Sequence, residues 1–185
     1  MKRGCNEKFV IAIRKLFLIF LLPFLISACT SYPDNIHPVN DFELKRYLGK
    51  WYEIARLDHS FERGLDKVTA EYSIREDGGV KVINKGWQAS KKKWRQAEGR
   101  AYFVRESNEG YLKVSFFGPF YGAYVIFELD KKDYQYAFIS GPDKDYLWFL
   151  SRTPTVNSEL LNRFIKVAGD YGFDTENLIY NENNL

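Results

Sequence analysis

The sequence predicts an all-β domain: eight antiparallel strands in up-and-down order, closed into a barrel, with a short helix at its N-terminal end and one helix outside. Three observations predict it. From Trp51 to Arg152, short apolar-rich runs recur between turns built on Gly, Pro and Asp, as consecutive hairpins require. Within several runs apolar and polar residues alternate, which gives each strand a dry face and a wet one. One stretch, after Pro154, carries helical spacing instead. A two-sheet sandwich is the rival, but it would usually need longer crossovers than this chain offers.

The first residues stand apart from that domain. Lys2, Arg3, Lys8, Arg14 and Lys15 form a basic lead-in to the apolar run Leu16–Ile26, and Ser27-Ala28-Cys29 follows. Basic, apolar, then small residues is the order of a secretory signal. The run is short for a membrane span and contains Pro23; an uncut anchor is the alternative. Ile26-Ser27-Ala28-Cys29 resembles the lipobox of bacterial lipoproteins. That resemblance implies cleavage before Cys29, acylation of its sulfur and, with Thr30 next, delivery to the outer membrane. The expected division is a signal over residues 1–28, a tether over 29–39 and a domain over 40–185.

Cleavage changes the charge. The chain has 27 basic and 24 acidic residues; losing the leader's five basic and one acidic leaves a formal −1. The basic pI belongs to the leader and gives no support for a nucleic-acid partner. Cys5 leaves with the leader and Cys29 is committed to lipid, so no internal disulfide is expected. With 45% hydrophobic and 17% aromatic residues, the domain can stand on packing alone.

The strands read in order as Trp51–Asp58, Lys67–Arg75, Val80–Gly86, Arg95–Val104, Tyr111–Phe117, Ala123–Leu129, Tyr134–Ser140 and Tyr146–Arg152. Glu76–Gly79 and Glu106–Gly110 are turn sequences. Leu160, Leu161, Phe164, Ile165 and Ala168 make one apolar helical face. Asn157 or Thr155 can cap its start and Gly172 can stop it. A short last strand at Asn177–Tyr180 follows.

Gly49-Lys50-Trp51 resembles the G-x-W signature of lipocalins. Asp130 falls where the family's second motif lies, and Arg152 matches the third at the end of the eighth strand. The resemblance runs from Phe42 to about Tyr180 and implies a barrel that holds a hydrophobic ligand, a fatty acid or lysophospholipid, in membrane lipid storage, transport or repair. It makes Gly49, Trp51 and Arg152 a structural closure. Val39, Phe42, Leu44 and Leu48 are expected as a short helical cover, and the Arg152 guanidinium as a lid over the Trp51 indole.

Parity then assigns the interior. Trp148, Leu150 and Tyr146 share a face with Arg152. Ala70 and Tyr72 point inward with Val68 and Ile74, and Val82 with Val80 and Asn84. Val114 and Phe116 point inward with Leu112, and Phe120 and Tyr121 sit at a turn beside the pocket. The sixth strand is apolar on both faces and parity leaves it open. Tyr72, Tyr121 and Trp148 are expected to offer polar tips near the mouth. The alternative is a filled interior, in an anchored barrel that binds another protein. Lys91–Lys93, with Trp87 and Trp94, reads as a solvated hairpin tip, the other reading being contact with anionic headgroups. His37 and His59 belong to no metal-ligand cluster, and Glu53 and Glu71 have no evident partner. No cofactor, metal or catalytic residue is expected; a homodimer is left open.

Overall fold

The computed structural model describes residues 30–181; the leader and Cys29 lie outside the described residues. Nine strands form one sheet: β1 Gly49–Arg56, β2 Leu65–Ile74, β3 Val80–Gln88, β4 Lys93–Phe103, β5 Tyr111–Ser115, β6 Gly122–Leu129, β7 Tyr136–Ser140, β8 Leu147–Ser151 and β9 Ile179–Tyr180. Each neighbour from β2 to β8 pairs antiparallel with the next. β1 closes the ring by pairing with both β2 and β8. Eight strands thus make the barrel, and β9 adds to the outer part of β1.

The pairing shifts register at three places, one of them between Asp66 and Thr69 in β2, and the other two decide which side chains face inward. The first of those two, between Glu53 and Ala55, turns both Glu53 and Arg56 into the barrel. The other, between Ile126 and Glu128, lets Tyr124, Ile126 and Leu129 face inward while Val125 and Phe127 face outward. An extra residue on one strand shifts its phase, so simple alternation fails there. The outer face of β6 is apolar because α2, Ser158–Asp170, and the chain after it cover that side. Phe164 packs on Phe138 and Phe149, each at 4.9 Å between ring centres. Phe127 stacks against Phe173. The Asn157 side chain caps α2 by accepting from the Leu160 N–H at 2.8 Å; Gly172, at φ +80°, ends it.

Residues 30–39 are not a free tether. Ile36 is fully buried in the outer apolar cluster. The Val39 N–H donates to the Ile126 carbonyl and the Gly110 N–H to the Val39 carbonyl. Apolar Tyr32, Ile36 and Val39, spaced along a Pro-containing stretch, have a surface to cover, and that removes their freedom.

Candidate ligand-binding site

The barrel's closed end is built from the two signature residues and a tyrosine. α1, Leu44–Tyr47, is only one turn long and crosses the floor just before Gly49, whose φ of +91° admits the sharp turn into β1. Trp51 follows at zero exposure, and its indole N–H donates to the Tyr47 carbonyl at 2.8 Å. Arg152 sits 3.9 Å over the Trp51 ring. Its guanidinium donates to the carbonyls of Lys50, Arg46, Leu48 and Tyr134, at 2.9, 2.7, 2.9 and 3.3 Å. A one-turn helix leaves its last carbonyls without partners, and a planar five-donor cation collects them. The Tyr134 hydroxyl accepts from the Glu43 N–H at the other end of α1. Asp130 holds the β6–β7 turn by accepting from three backbone N–H groups, those of Lys132, Asp133 and Gln135.

Above this floor lies a chamber of about 80 Å³ with mostly apolar walls. Ala70, Val82, Val114, Phe116, Trp148 and Leu150 line it. Its base holds three tyrosine hydroxyls in a chain, Tyr47 to Tyr124 at 2.7 Å and Tyr72 to Tyr124 at 2.8 Å. Burial pushes all three phenols upward, so they remain neutral donors. Tyr72 therefore stands at the floor, opposite Gly49 in the sheet, and not near the mouth as expected.

A second, open lobe of about 490 Å³ lies above, and the two share Phe61, Glu62, Val68, Asn84, Val114, Phe116, Ala123 and Trp148. These residues form a neck. Glu62 is 4% exposed there. Its carboxylate accepts from the Trp148 indole N–H at 3.0 Å and from Asn84 Nδ2 at 3.4 Å, and His59 Nε2 lies 3.0 Å away. His59, Phe61, Tyr146 and Trp148 stack around it. Just inside, Arg56 donates to Glu53 at 2.7 Å, both within 3% exposure, and Arg56 also donates to the carbonyls of Glu62 and Leu65. Burial, and then the neighbouring Glu62 carboxylate, push Glu53 up to about 8 against the pull of Arg56. Asn181 closes this network by donating to the Glu53 side chain and carbonyl.

The expected lining thus divides. Tyr146 and Phe120 border only the outer lobe, and Phe120 is 79% exposed. Tyr121 does not border either lobe. Its ring packs by Tyr102 and beneath Arg100 and Lys113 on the outer face, because it shares the phase of Lys113 rather than Val114. Ile74, in phase with Tyr72, runs past the floor and is 55% exposed. Glu53 has partners after all. Glu62 carries no signal in the sequence, since no strand periodicity covers the loop between β1 and β2 that holds it. Tyr47 and Tyr124 were hidden by the short helix and the ambiguous strand. Among the described residues no group of three His, Cys, Asp or Glu is placed to hold a metal ion.

A closed, capped barrel with one apolar interior and a polar neck defines a small-molecule binding protein of the single-cavity β-barrel class. Residues 42–183 match the family model described as a lipocalin-like domain. The chain belongs to the lipocalin family. It is 60% identical over 167 residues to the outer membrane lipoprotein Blc of Vibrio cholerae, covering 90% of this chain and 97% of that one. It is 54% identical to the protein of the same name in Escherichia coli K12, over 85% and 89%. Temperature-induced lipocalin-1 of Arabidopsis thaliana is 35% identical, over 76% and 78%. Among solved structures, insecticyanin of the tobacco hornworm Manduca sexta shares the fold, with TM-score 0.65 and 22% identity over 82% and 86% of the two chains.

Proposed function

We propose that this protein is a bacterial outer-membrane lipoprotein, anchored through acylated Cys29, that carries a single-chain lipid in its barrel for membrane lipid storage, transport or repair. The names of its relatives in Vibrio and Escherichia support the location. The two-lobed cavity carries the ligand reading. The inner chamber alone is smaller than ordinary ligand pockets, which start at roughly 300 Å³. A bound lipid therefore spans both lobes, its tail toward the tyrosines and its head at or above the neck.

Of the two ligands expected, the neck favours a lysophospholipid over a free fatty acid. Glu62 and the unpartnered Asn84 Oδ1 are acceptors, so they suit a head that brings hydroxyl donors. A fatty-acid carboxylate brings only acceptor oxygens to this acceptor-lined neck. Arg63 and Arg95 border the outer lobe, where a phosphate would lie. Organic extraction of the purified protein followed by mass spectrometry tests the reading, with titration of Trp148 fluorescence by palmitic acid and by a monoacyl phospholipid. Co-extracted single-chain lipid and saturable quenching support it. An empty extract with no response to either lipid overturns it and leaves the filled interaction barrel.

A further inference from the structure

Large exposed apolar side chains are distributed unevenly. Phe117 and Phe120, 74% and 79% exposed, stand on the turn between β5 and β6 at the open end. Both border the outer lobe and leave most of their rings to solvent. Directly below, on the outer face of β4 and β5, the Tyr121 ring lies between Arg100 and Lys113, at 5.8 and 5.3 Å. Neither cation makes an ion pair among the described residues, whereas the nearby acids are occupied: Glu109 by Arg105, Glu98 by Lys81 and Asp77 by Arg75. The face is thus cationic and aromatic, with exposed phenylalanines at its upper edge.

The path of the chain singles out the same face. The Tyr111 hydroxyl, two residues before Lys113 on β5, donates to the Thr30 carbonyl, and Tyr32 packs edge-on against Tyr111 at 4.9 Å. With Ile36 buried and Asn35 donating to the Tyr171 carbonyl, the stretch after Thr30 has no slack. Thr30, the residue after Cys29, is thereby held at the lower end of this strip.

We propose that this strip is the surface on which the barrel lies against an anionic phospholipid bilayer. Arg100 and Lys113 meet the headgroups, and Phe117 and Phe120 enter the interface beside the open end. Cationic and aromatic side chains at headgroup level, with apolar ones just below, are what such a boundary favours. The barrel then rests on its side, attached at one end of the strip and open to the lipid at the other.

The test uses the full lipid-anchored protein in vesicles of phosphatidylethanolamine and phosphatidylglycerol. Phe120→Cys and Ile74→Cys variants carry a nitrobenzoxadiazole label, the second reporting β2, three strands round the barrel from β5. The label at position 120 is expected to shift to the blue and to be quenched by brominated lipid, and the label at 74 is not. Combining Arg100→Glu with Lys113→Glu is expected to abolish the shift at 120 while lipid binding in the cavity is retained. Equal quenching at 74 and 120, or a label at 120 that stays in water, overturns the assignment while leaving the cavity reading intact. So does a shift present before vesicles are added that grows with protein concentration, which would place a second copy on this face. Protein that never associates with the vesicles removes the anchor as well.

Discussion

The two ends of the barrel use similar residues to opposite effect. Each has a tryptophan beside an ionisable group: Trp51 under the half-buried Arg152 at the floor, Trp148 beside the buried Glu62 at the neck. At the floor every polar atom of the pair is engaged, the indole by Tyr47 and the guanidinium by four carbonyls. At the neck Asn84 Oδ1, His59 Nδ1 and Arg56 Nε lack partners. Buried polar atoms left open raise the free energy of the empty state. The floor is saturated and structural; the neck is unsaturated and suited to a guest.

The largest expected effect falls on the saturated end. Trp51→Ala removes the floor plug and should cost about 4 kcal/mol, measured by urea unfolding. A variant of near wild-type stability would show that α1 closes the barrel unaided. Trp148→Ala, at the unsaturated end, is expected to weaken lipid affinity by roughly tenfold or more while costing less stability than Trp51→Ala. Glu62→Gln sharpens the contrast by ligand: palmitic acid should bind more tightly and the monoacyl phospholipid no better, read from paired fluorescence titrations. The next effect is in pH. Inside the fold Glu53 keeps its proton up to about 8, whereas in the unfolded chain it ionises near 4.5. The unfolded state therefore binds fewer protons across that window, and stability falls as pH rises through it. Melting temperature should drop by a few degrees from the lower to the upper limit, and Glu53→Gln should flatten the slope. Smallest is Tyr121→Phe, which lies outside both lobes and should leave cavity affinity unchanged, with stability within about 0.5 kcal/mol.

The sequence made the barrel legible because strand alternation and turn residues are local signals. Gly49, Trp51 and Arg152 were legible through their resemblance to the lipocalin motifs, which fixes their order along the chain and implies their closing role. The wall residues Ala70, Val82, Val114, Phe116, Trp148 and Leu150 followed from phase. Phase failed where the pairing slips: the bulge after Glu53 brings in Arg56, and the one after Ile126 decides the sixth strand. It also failed at the last residue of β2, Ile74, which keeps its strand's parity but no longer faces the interior, while Tyr121, placed by its turn rather than by phase, lies on the outer face. The polar neck was least legible, since Glu53, Arg56, His59, Glu62, Asn84 and Asn181 come from four separate segments and meet only when the ring closes.

That meeting has a consequence for how the chain reaches its compartment. β1 pairs with β2, β8 and β9, and Asn181 bonds to Glu53, Ile54 and Val68. The earliest strand to be synthesised cannot finish its ladder until the last described residue has been exported. A polypeptide crossing the inner membrane from its N-terminus must stay open throughout translocation, and the stretch from β1 to β8 needs shelter from aggregation until residue 181 arrives.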